Sequence, residues 1–415
     1  MSLNALAKYL DDNDTSTQSL IGLATLMSLA FDGKDLAPIG TTLLELAGGD
    51  NAEALMDLST LVQLKGDRDT GLALQQQALM LKQHYKLEPD SIKNPIKLLA
   101  IMAPGDLMSN TPLEFITEAI GITLDMLYVS PEHPVPSTLP EHDIAMVAVS
   151  ELDRNFHILK LLESAMADWP KPIINSPNNI VEMARDRSSL MLQNYAGINI
   201  PITSRITRTE LENIINGSHH LNDYLADSSF PFIIRPVDSH AGHGLEKIEN
   251  IAEIKEYLLN QYNENYFISP FINYKNTDEQ YRKYRIVLIQ GKPFLVHMAI
   301  SDQWMVHYAN ANMADDANKR AEEQSVMETF DDDFSQRHAL AFKKIYERFG
   351  LDYIGMDCGE TPEGDLLIFE LGNSLNVHTL DSVDIFPYKK IQTDKIFNGF
   401  SSYLNKILSS TSQTA

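Results

Sequence analysis

The pattern of apolar and polar positions changes character along the chain. Up to about residue 90, apolar residues recur every three or four positions, the spacing of one helix face. That spacing predicts helices over Thr17–Phe31, Pro38–Ala47, Ala52–Leu64 and Thr70–Tyr85, punctuated by Gly48-Gly49-Asp50-Asn51 and Lys65-Gly66-Asp67. After a linker at Pro89–Asn94 the pattern becomes short continuous apolar runs: Ile96–Met102, Ile122–Val129, Asp143–Val149 and Ile173–Asn175. Helix-like stretches, Pro112–Ala119 and His157–Ala167, separate them, and strands alternating with helices imply a small parallel sheet. A helix over Ile180–Ala196 follows, with Ser176 or Asn179 as its N-cap. Helices near Thr209–Ile215 and over Ile251–Gln261 then alternate with strands at Phe230–Pro236, Tyr266–Ile272, Tyr281–Ile289 and Phe294–Ile300. Acid-rich helices run to Phe349, a strand pair occupies Tyr353–Cys358 and Leu366–Leu371, Phe386–Leu408 reads as helix and Ser409–Ala415 as a frayed tail. The expected class is α/β shading into α+β. The expected domains are 1–90 all-helical, 95–178 a parallel α/β sheet, and 179–265 and 266–410 two further α+β parts.

Length and composition narrow the functional classes. A chain of 415 residues with 44% apolar content suits two or three domains with real cores. Its net charge of -24 argues against nucleic acid as a standing partner, which would need clustered Lys and Arg. The single cysteine, Cys358, excludes an intramolecular disulfide and gives no sign of an oxidising compartment. The first twenty residues lack a basic segment followed by an apolar one, so no signal peptide is expected. No apolar run reaches membrane-spanning length, and a cytoplasmic protein is the expectation.

Three stretches carry candidate chemistry. The strand pair ends in Asp357 and Glu370, with Thr361-Pro362-Glu363-Gly364-Asp365 as the turn and Asn373 and Asn376 close behind. Those oxygens either face solvent on an edge strand or make a hard-oxygen site of the kind Mg²⁺ on a nucleotide takes. The apolar run Phe232-Ile233-Ile234 ends in Arg235, and Val237–Leu245 follows with two glycines. A cation beside a glycine-bearing loop can wrap phosphate oxygens in backbone N–H groups, although many such hairpins bind nothing. In Tyr281–Ile289, Arg282 and Lys283 are adjacent and point to opposite faces of a strand, whereas Lys283 and Arg285 share one. Such a basic strand serves a site or defends a sheet edge. The Pro104-Gly105 loop after the first α/β strand is not a dinucleotide fingerprint.

Taken in order over roughly residues 95–405, these parts resemble the ATP-grasp superfamily. The features are Asn175-Ser176-Pro177 with Arg185-Asp186-Arg187, Phe232–Pro236 with its glycine loop, the short Ile268–Ile272 strand, the basic strand and the Asp357/Glu370 pair. The resemblance implies a preliminary α/β subdomain, a lid over 179–265 and a metal-binding subdomain over 266–410. It implies ATP held by Arg235, Asp238, Ser239, Gly242 and Gly244 on its phosphates. Ser269, Pro270, Phe271 and Ile272 would face the adenine, with Arg187 a weaker contact. It assigns catalysis to Arg285 and Arg282, and Mg²⁺ to Asp357, Glu370 and Asn373. One departure stands out: the family's Glu-x-Asn is here Glu370-Leu371-Gly372, with asparagine one position later. The implied reaction is ADP-forming ligation, in which ATP phosphorylates a carboxylate and an amine or other nucleophile attacks. His297, Trp304, His307, Tyr308 and His378 are candidates to shape the acceptor site. The N-terminal helix pairs loosely resemble tetratricopeptide repeats, which implies a peptide or protein partner. A degenerate ATP-grasp body that senses nucleotide while the helices recruit a protein is the alternative.

Overall fold

The computed structural model describes residues 19–89, 93, 95–225, 230–240, 242–378 and 380–412. The expected helix start at Thr17, the linker Pro89–Asn94 and the tail Ser409–Ala415 lie partly outside these residues. The chain divides into two compact units: one takes the chain to Ser150, Asn155–Asn178 and the chain from Asn373, the other Glu151–Arg154 and Asn179–Gly372. Among the described residues no helix is long and apolar enough to cross a membrane.

In the first unit the 3.6-residue pattern gives four helices, α1 (Leu23–Phe31), α2 (Ala37–Ala47), α3 (Ala52–Leu64) and α4 (Arg68–Leu81). Leu26, Leu43, Leu58 and Leu61 form their shared core. Asn51 and Asp67 cap α3 and α4 through their side chains, which satisfies N–H groups the helices leave open. At Gly71 the two helices approach so closely that a Cβ would lie 3.0 Å from the Ser59 carbonyl. Residue 85 differs from the helical expectation. His84–Leu87 is a strand, β1, paired antiparallel with Leu124–Leu127. The helix stops at Leu81 because Tyr85 gains more as a sheet residue, fully buried with its hydroxyl on the Ala78 carbonyl. The sheet continues with β2 (Lys97–Met102), β3 (Thr123–Tyr128), β4 (Ile144–Val147) and β5 (Ile173–Ile174), in the order β1-β3-β2-β4-β5. Only the β1 pairing is antiparallel, and the 1–90 segment is therefore not all helix. The helix Lys389–Ser412 also counts with this unit and runs past the expected end at Leu408.

Two carboxylates tie α1 down. Asp57 accepts from the Ile21 and Gly22 N–H groups at 2.7 and 3.0 Å, and Glu114 accepts from Ala24 N–H at 3.0 Å. Burial raises the Glu114 carboxyl to about 7, with nearby Asp57 adding to the rise. A raised folded-state value means stability is fully present below the unfolded value and is lost as pH climbs through about 7. Glu114→Gln keeps the acceptor and removes the charge. Its urea midpoint should match the parent near pH 4 and exceed it at pH 8; equal midpoints at both pH values would contradict this account.

The second unit holds two sheets. The first is antiparallel in the order β7-β10-β8-β9, built from β7 (Ser204–Thr207), β8 (Phe232–Pro236), β9 (Glu246–Ile248) and β10 (Asn265–Pro270). Leu211, Phe232, Ile234, Ile254, Tyr257 and Tyr266 form its core with helices Arg208–Ile215 and Ile251–Asn260. Because β10 lies between β7 and β8, this sheet extends past residue 265 to Pro270. The second sheet runs β12-β11-β13-β14-β6, from β6 (Ile198–Asn199), β11 (Tyr281–Ile289), β12 (Lys292–Ser301), β13 (Tyr353–Glu360) and β14 (Leu366–Gly372). The β13–β14 register shifts after Asp357. Asp357 pairs with Glu370 and Cys358 with Ile368, so Phe369 is an extra residue on β14, a β-bulge.

Candidate functional site

The second unit encloses a cavity lined by parts of both of its sheets. Its apolar walls include Ile233, Phe267, Phe271, Tyr274, Leu367 and Phe369. Arg185, Arg235 and Lys283 line it as cations, with Asp357 and Glu370 as the carboxylates.

Arg235 closes β8. Its Nε donates to Ser239 Oγ at 3.1 Å and its Nη2 to the Ser239 carbonyl. No carboxylate among the described residues forms an ion pair with it. Burial, and then the charge of Arg185, push its pKa well below the usual arginine value. The loop after it needs its glycines. Gly242 and Gly244 have φ of +73° and +64°, and a Cβ on Gly244 would lie 2.7 Å from Pro236 Cδ. A Cβ on Gly242 would lie 3.1 Å from His307 Nε2, so the loop tip packs on the Met305–His307 segment. Tyr257 fixes the loop by donating to the Gly244 carbonyl at 2.7 Å. Burial and the cations Lys283, Arg285 and Arg235 outweigh Asp357 and lower the His307 pKa, which favours neutral imidazole.

On β11 the two-residue period sets Lys283 and Arg285 on one carboxylate. Lys283 Nζ donates to Asp357 Oδ2 at 2.9 Å, Arg285 Nε to Oδ1 at 2.8 Å and Arg285 Nη2 to Oδ2 at 3.0 Å. Burial alone would raise the Asp357 carboxyl, but Arg285 and Lys283 overcome it and hold it well below the usual range. Arg285 stands behind Asp357 and does not line the cavity. Arg282 points the other way, as adjacency in a strand requires, and pairs with Asp278 and Glu322.

Glu370 is met by Arg185, which also donates to the Phe369 carbonyl at 3.0 Å. The bulge turns that carbonyl out of the ladder and into reach. Burial brings Arg185 down to about 10, with Glu151 and Asp357 opposing the fall. Arg187 donates to the Val181 carbonyl at 2.9 Å and does not line the cavity. Two residues along a helix are roughly 200° apart around its axis, so only one of the two arginines can face the cavity. Asp238 lines a smaller cavity instead and accepts from the Asp153 and Arg154 N–H groups at 2.8 and 3.1 Å. Ser269, Pro270, Phe271 and Ile272 all line the main cavity, and the Phe271 N–H is spent on the Pro231 carbonyl at 3.3 Å.

The donors do not fit Mg²⁺ as they stand. Both oxygens of Asp357 are saturated by cations, and Glu370 is held by Arg185. At Gly372, where the resembled family has asparagine, a Cβ would lie 2.7 Å from Glu151 Oε1. Asn373 belongs to the first unit, fully buried, and donates to the Val149 carbonyl at 2.9 Å. Among the described residues no cluster of three His, Cys, Asp or Glu side chains suits a metal. Arg185 and Lys283 are the cavity cations that the sequence reading did not select. The signal for Lys283 was the face it shares with Arg285; for Arg185 it was the arginine repeat two residues apart.

No protein-family model and no curated protein matches the chain. Among solved structures it is similar to the VanG D-Ala:D-Ser ligase from Enterococcus faecalis, at 12% identity over 75% of this chain and 100% of that chain, with a TM-score of 0.45. It is also similar to a D-alanine–D-alanine ligase from Bacillus anthracis complexed with ATP, at 12% identity over 77% and 99%, with a TM-score of 0.44. A third is a RimK domain ATP-grasp protein from Sphaerobacter thermophilus, at 15% identity over 72% and 98%, with a TM-score of 0.40.

Proposed function

We propose that the second unit binds ATP in this cavity and uses it to activate a carboxylate as an acylphosphate for attack by an amine or other nucleophile. Arg235 carries the reading. A partly buried guanidinium with another cation beside it and no carboxylate partner among the described residues is an incomplete ion pair, and a phosphate oxygen completes it. The rest of the cavity fits the remainder of a nucleotide. Phe267, Phe271 and Tyr274 offer flat apolar surface to a purine, and Ser239 aims Arg235 while the Gly242–Gly244 turn brings backbone alongside it.

The γ-phosphoryl group moves from the ATP bridging oxygen to a carboxylate oxygen of the substrate, and ADP leaves. The nucleophile then adds to the acyl carbon, and inorganic phosphate departs with the electron pair of the C–O bond. No side-chain nucleophile is needed, because such transfers depend chiefly on positioning and charge neutralisation. In this reading Lys283 and Arg185 face the transferred group, and Arg285 holds Asp357 and so aligns Lys283. The ordered set of motifs that resembles ATP-grasp proteins supports ligation as the reaction class. The helices at the start of the first unit would recruit a peptide or protein substrate.

Incubation with ATP, candidate carboxylates and amines, read by phosphate release and product mass, tests the proposal. ADP and phosphate in step with a condensed product are expected. ATP binding without turnover would favour the second reading, a nucleotide sensor, to which the saturation of Asp357 already lends support.

A further inference from the structure

The carboxylates that would hold a divalent metal are neutralised, by groups built into a strand and a helix. Lys283 and Arg285 come from one face of β11, and Asp357 lies across from Arg285 on β13. Arg185 occupies Glu370 in the same way. Counting Arg185, Arg235, Lys283 and Arg285 against Asp357, Glu370 and nearby Glu151, the cations outnumber the carboxylates by four to three. A divalent cation entering here would meet ammonium and guanidinium groups already on the Asp357 oxygens. Each such like-charge repulsion opposes its entry. Mg²⁺ sheds water reluctantly and demands near-octahedral oxygen ligation, and this cavity gives it no open carboxylate pair. Lys283, by contrast, reaches the cavity wall from a side chain that is only 11% exposed, so its charge is little screened by water.

We infer that in this chain fixed side-chain cations, Lys283 and Arg185 beside Arg235, take over the neutralisation of the polyphosphate, so that the cavity takes up the metal-free nucleotide anion. The inference rests on the reading of the cavity as a nucleotide site. It requires that chelating divalent cations leave binding intact, and that removing Glu370 cost no affinity.

Isothermal titration of the full chain with ATP, once in excess Mg²⁺ and once in EDTA, tests it. The dissociation constant in EDTA should be lower than that in Mg²⁺, or at most about threefold higher. Loss of binding by about thirtyfold or more on chelation overturns the inference and leaves the nucleotide reading standing. Absence of binding in both buffers overturns the nucleotide reading itself, and this inference with it. Glu370→Gln supplies a second arm in Mg²⁺. Unchanged or tighter ATP binding is expected, since Arg185 is released to the phosphates. A fall of about tenfold or more in a folded variant would mark Glu370 as a metal ligand and sink the proposal.

Discussion

Replacing Arg235 by glutamine should cost the protein its ATP binding and at the same time make the ligand-free chain more stable. The two effects share one cause. The guanidinium is partly buried, stands beside Arg185 and has no carboxylate partner among the described residues. In the ligand-free state its charge is a liability, offset in part by two hydrogen bonds to Ser239. Relieving a poorly compensated, partly buried charge of this kind stabilises the ligand-free fold. Against phosphate the same group forms charge-assisted hydrogen bonds worth about 1.5–3 kcal/mol each. Losing two of them weakens binding by about a hundredfold or more. Thermal unfolding with and without ATP reads both effects. The variant should melt higher alone and shift little with ATP, whereas the parent should shift with ATP concentration as linkage demands. A variant that melts lower and binds ATP as well as the parent would remove the anion site from this position.

Asp357→Asn should have the largest effect on stability. The substitution leaves Lys283 and Arg285, both largely buried, without their shared counter-charge. Breaking a buried pair from one side costs about 3–5 kcal/mol, seen as a lower urea midpoint. Adding Lys283→Met should recover part of the loss, because one orphaned cation goes with it; a double variant no better than Asp357→Asn alone would deny the coupling. The pH dependence has a defined sign. The folded-state carboxyl lies well below its ordinary value, so its contribution is present above about pH 4 and is lost as pH falls further. The parent should therefore steepen in acid unfolding below about pH 4, and Asp357→Asn should lack that limb.

Much of the secondary structure was legible because several runs are mostly apolar. Lys97–Met102, Thr123–Tyr128 and Leu366–Leu371 have few polar positions that would suit a solvated helix face. His84–Leu87 was not legible, since what makes it a strand is β3, more than thirty-five residues on. The same divide runs through the site. The two-residue period places Lys283 and Arg285 together from sequence alone. That their common partner is Asp357 depends on the β11–β13 register, in which Arg285 stands opposite Asp357. The glycine loop reads correctly as a place where backbone bends sharply, yet Asp238 within it serves the Asp153–Arg154 backbone. Choosing between Arg185 and Arg187 needed the rotational phase of a helix, and sequence spacing gives the difference between two residues, not the absolute phase.

The extra residue at Phe369 is a position where a one-residue change in chain length would act on the cavity wall. Excising that one position would let Ile368 and Glu370 follow each other directly, with Cys358 and Asp357 keeping the partners they have now. The strand pairing would survive the cut, while the carbonyl on which Arg185 rests would vanish. A one-residue deletion in a single strand would thus release Arg185 from a backbone acceptor and remove the ring that packs on Tyr274 in the cavity wall.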